Sequence, residues 1–175
     1  MTEDSPDDIS KGLGSKMTIA GWIILLGILT FYFSGYLEQQ RNPNQSVDST
    51  MEEQLSEVVL KQNRQGHYIA TAVINNIPVN VILDTGASDV SIPEKLAEKL
   101  RLTRGPSIEA MTANGTISGY LTTLDSVQLG HIELKQVKAS INPYSNDSFI
   151  LLGMSFLRQV EFTQRNNTLI LRQYH

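Results

Sequence analysis

Val79-Asn80-Val81-Ile82-Leu83-Asp84-Thr85-Gly86-Ala87-Ser88 is an apolar, β-branched run that ends on a carboxylate and a tight turn. The run reads as a strand, and Asp84 and Gly86 are turn residues that end it. A carboxylate at the end of a buried strand is disfavoured in its charged form by desolvation. It needs hydrogen-bond donors or a partner that shares its proton. Gly86 lets the backbone approach the carboxylate, and Thr85 supplies a short hydroxyl beside it. Two such aspartates facing each other can share one proton and activate a water between them. The chain holds a single Asp-Thr-Gly, so a second aspartate has to come from a second copy. The tripeptide alone also fits an ordinary strand-ending turn, and its surroundings decide between the two.

Upstream, Gly66-His67-Tyr68-Ile69-Ala70-Thr71-Ala72-Val73-Ile74 reads as a strand, and Asn75-Asn76 as a two-residue turn. Residues 77–83 form the returning strand, so a hairpin delivers Asp84. Downstream, Phe149-Ile150-Leu151-Leu152-Gly153-Met154 is a short, very apolar strand that stops at Gly153. Residues 154–159 then read as a short helix. Taken alone this is an ordinary core strand. Between the two lie Ile108-Glu109-Ala110-Met111-Thr112 and Thr116-Ile117-Ser118-Gly119-Tyr120, flanking Ala113-Asn114-Gly115. Asn-Gly marks a hairpin. Its polar, small residues suit a lid over a cleft or a plain surface hairpin.

Together these residues resemble the retropepsin-like aspartic proteases. In that family a strand delivers Asp-Thr/Ser-Gly-Ala, a flap hairpin follows, and an apolar-apolar-Gly strand packs behind the aspartate before a short helix. The match covers residues 57–175, and the chain looks like the bacterial, membrane-anchored branch. The resemblance implies an all-β fold: a small closed retropepsin-like β-barrel with one or two short helices. It implies Asp84 as the catalytic group in a homodimer, with Thr85, Gly86 and Ala87 forming the active-site turn. Ser88, Asp89 and the flap residues Met111, Thr112, Ala113, Asn114 and Gly115 would bind substrate. Leu151, Leu152 and Gly153 would support the aspartate from behind. The flap lacks the Gly-rich tip of the viral enzymes. Pro93-Glu94-Lys95-Leu96-Ala97-Glu98-Lys99-Leu100 reads as a helix where those enzymes have none.

Residues 17–37 carry no charge and include Trp22-Ile23-Ile24-Leu25-Leu26-Gly27-Ile28-Leu29. At about 1.5 Å per residue this run spans roughly 30 Å, enough to cross a bilayer core. Trp22 at one end and Tyr32 and Tyr36 at the other suit interfacial belts. The run is longer than a signal-peptide core and no Ala-x-Ala site follows it, which favours an anchor over a cleaved leader. Lys11 and Lys16 precede the span and only Arg41 follows closely. That bias places residues 1–16 in the cytoplasm and the domain outside, which is the periplasm, with the span in the inner membrane, if the source is a Gram-negative bacterium. Residues 38–56 read as a polar linker, too poor in apolar residues to fold. Within it Thr50 and Glu53 fit a capping box that starts a short helix.

The chain has 175 residues, a net charge of −4 and no cysteine. One domain plus an appendage fits that length. Disulfides, thiolate metal sites and cysteine nucleophiles are excluded. No basic block suggests nucleic acid. His67, His131 and His175 lack ligand spacing, so neither a metal nor a cofactor is expected. Residues 122–129 are apolar every second or third position, Gly130 turns the chain, and residues 132–141 continue as strand. Val160-Glu161-Phe162 and residues 168–172 frame an Asn166-Asn167 turn. Residues 172–175 either join a dimer interface, as the resemblance implies for terminal strands, or fray. The rival to an enzyme is a non-catalytic, membrane-tethered dimeric binding module of the same fold, keeping Asp84 as a turn residue.

Overall fold

A computed structural model of the chain describes residues 6–112 and 115–175. The chain divides into two compact units, Met1–Gln39 and Gln40–His175. The described part of the first unit lies in helix α1 (Pro6–Arg41). Within it Lys16–Arg41 is apolar enough, at a mean hydropathy of 1.9, and long enough to cross a membrane. By length and composition it fits a membrane anchor or a signal sequence.

In the second unit, β3 (Tyr68–Ile74) and β4 (Ile77–Leu83) form the expected hairpin, with Ile74 opposite Ile77. Asn75 and Asn76 take φ of 47° and 67°. Asparagine tolerates this left-handed pair, and the resulting turn matches the right-handed twist of the strands. The Asn75 N–H donates to Ser126 O at 3.1 Å, and the Ser126 N–H donates to Asn75 Oδ1 at 3.2 Å. The turn is thereby fastened to the long strand Gly115–Leu129.

The remaining elements are β5 (Val90–Pro93), α2 (Glu94–Lys99), β6 (Ser107–Thr112), β7 (Gly115–Leu129), β8 (Ile132–Asn142), β9 (Ile150–Leu152) and α3 (Met154–Leu157). The larger sheet runs β3-β4-β9-β5-β8-β7-β6, and β3 also pairs with β7 through Val73–Gln128 and Ile74–Val127. That second pairing curls the sheet into a barrel-like form around Val81, Ile92, Leu124, Val127, Leu129, Ile141, Ile150 and Leu152, all essentially inaccessible. Along β7 and β8 the buried positions shift by one residue at Asp125 and Gln136, where Gln136 has φ of 53°. This shift produces the irregular apolar spacing of residues 122–129.

A smaller sheet, β1-β2-β11-β10, is built from β1 (Asp48–Glu52), β2 (Leu55–Lys61), β10 (Glu161–Arg165) and β11 (Thr168–Tyr174). Val58, Leu60, Leu169 and Leu171 from its middle strands join the same core. Two expectations are corrected here. Residues 50–55 are not helical: Asp48–Glu52 pairs with β2 and turns at Glu53-Gln54. Nor are residues 38–56 a free polar linker. Asn42 and Asn44 are 1% and 3% exposed. The Asn44 side chain donates to Lys61 O and Ile69 O and accepts from the Lys61 N–H. Asn42 donates to Thr71 Oγ1 and Asn80 Oδ1. The polar composition of this stretch therefore supplies backbone-satisfying side chains rather than solvation. The C-terminus is also held. Tyr174 pairs with Leu55, the His175 N–H donates to Gln54 O, and its Nε2 lies 2.9 Å from Ser56 Oγ.

Candidate active site

β4 lies between β3 and β9, and it runs parallel to β9 with Leu83 beside Leu152. Where β4 ends, the Asp84 N–H continues the ladder by donating to Leu152 O at 3.1 Å. The chain then turns. The Gly86 N–H donates to Asp84 Oδ1 at 2.8 Å, and the Ala87 N–H reaches Asp84 O at 3.4 Å. A β-carbon at Gly86 would sit 3.1 Å from Asp84 Oδ1, so glycine keeps this approach uncrowded.

The far side of the turn is clamped to α3. The carbonyls of Ala87 and Ser88 accept the N–H groups of Met154 and Ser155 at 2.8 and 3.0 Å. These are first-turn donors that the helix itself leaves without partners. Ser155 Oγ donates to Lys138 O at 2.8 Å and accepts the Val90 N–H at 3.0 Å, tying β5 and β8 to the same point. Gly153 is the hinge of the arrangement. A β-carbon there would run into the carbonyl oxygens of Ala87 and Asp89. Phe156 and Leu157, at 0% and 1% exposure, root α3 in the core.

Asp84 itself is exposed, as are Thr85, Gly86, Ser88 and Asp89, while Ala87 is half-buried. The expectation of a desolvated carboxylate does not hold within one chain: the core stops at Leu83. Apart from the Gly86 N–H, the Asp84 carboxylate has no hydrogen-bond partner among the described residues. Asp84 and Thr85 line a groove of about 330 Å³ together with Tyr68, Phe162, Gln164 and Leu169. Burial pushes the Tyr68 phenol above its usual pKa of 10.0, and the neighbouring Gln164 side chain offsets part of that rise.

The structure thus gathers Asp84, Thr85, Gly86, Ala87, Ser88 and Asp89 against Leu152 and Gly153, with Leu151 half-buried beside Ser91 in the same sheet. Met111 and Thr112 end β6, and Thr112 pairs with Gly115 at the start of β7, where Gly115 has φ of 112°. Ala113 and Asn114 lie outside the described residues. The base of this hairpin is fixed by Gly105–Leu121 and Leu121–Pro106 backbone bonds and by Arg104, 4.9 Å from the Tyr120 ring centroid. Ser155 and the groove residues Tyr68, Phe162 and Gln164 were not legible as site residues. Ser155 follows Gly153-Met154 at a helix start, where a hydroxyl often bonds backbone, and that was the one available signal.

The family model described as "gag-polyprotein putative aspartyl protease" matches residues 70–159, a span that holds the Asp84 turn, the β6–β7 hairpin and Gly153. The chain belongs to the retropepsin-like aspartic protease family. A crystal structure of a retropepsin-like aspartic protease from Rickettsia conorii is 31% identical, with a TM-score of 0.58, covering 71% of this chain and 98% of that one. An uncharacterized protein in the cobV 5′ region of Sinorhizobium sp is 31% identical over 74% of this chain and 58% of its own length. An uncharacterized protein of Rickettsia prowazekii is 29% identical over 69% of this chain and 53% of its own length. The chain therefore spans little more than half of these two relatives.

Proposed function

We propose that this retropepsin-like chain is a membrane-anchored aspartic endopeptidase, active as a homodimer with one Asp84 from each subunit. The observation that carries the reading is an exposed Asp84 on a turn clamped from both sides. One carboxylate oxygen is held by the Gly86 N–H, and the carboxylate has no other partner among the described residues. A carboxylate presented on a clamped turn, with its other oxygen without a partner among the described residues, suits a site completed by a second subunit.

Two such carboxylates in close approach cannot both ionise easily, so the pair holds one proton over an acidic to neutral range. The ionised member takes a proton from the bound water as its oxygen attacks the peptide carbonyl carbon. The protonated member donates to the carbonyl oxygen. The tetrahedral intermediate collapses by breaking the C–N bond while a proton passes to the leaving nitrogen. Thr85 braces the two turns across the dyad. Gly86, Ala87, Ser88 and Asp89 bind substrate backbone, residues 111–115 close over it, and Leu151, Leu152 and Gly153 hold Asp84 in place. Residues 17–37 sit in the bilayer, and the charge bias across them supports a periplasmic domain in an inner membrane. Confinement to one membrane raises the effective concentration of a partner and favours pairing.

The test uses the full chain in detergent, wild type beside Asp84→Asn, on a diverse peptide library read by mass spectrometry from acidic to neutral pH. Cleavage by wild type alone is the expected result. Intact peptides with both proteins, each shown to be folded and dimeric, would instead assign the fold to a binding module.

A further inference from the structure

A second cavity, of about 200 Å³, shares no lining residue with the Asp84 groove. Its walls include Thr71 of β3, Pro78 and Asn80 of β4, Leu96 and Lys99 at α2, and Ser148. Pro78 lies at the start of β4 and Asp84 just past its end, so about 20 Å of strand separates the cavity from the catalytic turn.

The residues that follow the apolar run hold the walls of this cavity. The Asn42 side-chain amide donates to Thr71 Oγ1 and Asn80 Oδ1, both at 3.1 Å. The Arg41 guanidinium donates to Ser148 Oγ at 3.1 Å. The uncharged run ends at Leu37, and only Glu38, Gln39, Gln40 and Arg41 stand between it and Asn42. Fully extended, that step reaches about 18 Å at most. With Leu37 at the edge of a bilayer, covalent reach alone keeps the cavity beside the lipid headgroups.

The chemistry of the cavity suits a phosphate. Arg41 and Lys99 are exposed and have no ion-pair partner among the described residues. Lys99 Nζ donates to Pro78 O at 3.3 Å, and an ammonium has further donors to offer. Glu98 and Asp147, their neighbours in sequence, are not among the lining residues. A guanidinium and an ammonium beside hydroxyl groups form a donor set for a phosphate. Leu96 and Pro78 add apolar wall for the glycerol next to it. Tyr144, 68% exposed in the segment that leads to Ser148, adds an aromatic of the kind that sits at a membrane interface.

We infer that this cavity is a docking site for the headgroup phosphate of an anionic phospholipid, held by Lys99 and Arg41. The inference rests on the membrane-anchored reading and adds a lipid site and an orientation to it. Docking there turns the start of β4 to the bilayer and leaves the Asp84 turn, at the other end of the strand, open to the aqueous side.

The test uses the full chain in a neutral detergent, with phosphatidylglycerol or phosphatidylcholine added and retained lipid counted by native mass spectrometry. Wild type should retain phosphatidylglycerol in preference to phosphatidylcholine. Arg41→Gln combined with Lys99→Gln, both surface changes, should weaken phosphatidylglycerol retention by about tenfold or more. Lys99→Arg should keep it. Arg158→Gln, which removes an exposed cation from the end of α3, should leave it unchanged. Equal retention of the two lipids, an unaffected double variant, or an equal loss with Arg158→Gln overturns the site. Displacement of the lipid by an equal concentration of inorganic phosphate overturns the lipid as its occupant. The failures are separable. A chain washed from membranes by alkaline carbonate without detergent fails the anchor itself. A chain that stays in the membrane and shows no lipid preference keeps the anchor and loses the site.

Discussion

At the scale of single residues, Gly153 and Tyr68 make opposite demands on the groove's surroundings. Gly153 is where α3 meets the Asp84 turn, and any β-carbon there meets two backbone carbonyls rather than a side chain that can swing away. Gly153→Ala should cost about 1–3 kcal/mol of stability by overpacking. By displacing the turn it should also lower kcat/KM by on the order of 100-fold. Thermal unfolding and peptide cleavage check the two effects together, and a fully active Gly153→Ala would show that the clamp is dispensable. Tyr68 is 7% exposed and its hydroxyl has no hydrogen-bond partner in good geometry among the described residues. Its folded pKa lies above the usual 10.0 because burial disfavours the phenolate. A raised folded pKa contributes stability that is complete below the unfolded value and is lost as pH rises through the folded one. Stability should therefore fall on the alkaline side of pH 10 in wild type and fall less in Tyr68→Phe, as read by denaturant melts across that range. The close approaches at Gly86 and Gly153 were legible in the sequence because little but glycine fits such points. Tyr68 was not, because a tyrosine in a strand gives no sign of whether its hydroxyl finds a partner.

At the scale of elements, the legible parts were those whose signals are local. The β3–β4 hairpin follows from Asn75-Asn76, and the positive φ of both residues is the reason asparagine is suited there. Helix α2 and the β10–β11 hairpin likewise sit where the turn residues put them. The misread element was residues 48–55. Thr50 and Glu53 satisfy a helix-start pattern, yet the strand is fixed by pairing with β2, a contact no short window contains. Segment 42–44 was misread for the same reason. Its asparagines look like solvated linker until β2, β3 and β4 are present to receive their hydrogen bonds. Asn44→Ala should remove the three side-chain hydrogen bonds of Asn44 and take that partner from the buried Ile69 carbonyl and from the part-buried N–H and carbonyl of Lys61. The expected loss is on the order of 3 kcal/mol. Chemical denaturation of the full chain in detergent measures it, and a loss under about 0.5 kcal/mol, as for a surface site, would return these residues to the status of a linker.

At the scale of the whole molecule, the chain holds a single Asp-Thr-Gly, so the proposed two-aspartate site needs a second subunit to complete it. The stoichiometry has a consequence that no single-site variant alone tests. If each active site takes one Asp84 from each subunit, Asp84→Asn subunits should poison wild-type ones rather than merely dilute them. Mixed with an equal amount of the variant and allowed to re-pair at random, a fixed amount of wild type should retain about half its cleavage rate, because half its subunits then sit in mixed dimers. The loss should deepen smoothly as the variant is added in excess. A wild-type rate unaffected by any excess of Asp84→Asn, under conditions where subunits are shown to exchange, would mean that each chain works alone and that the open carboxylate of Asp84 has some other partner.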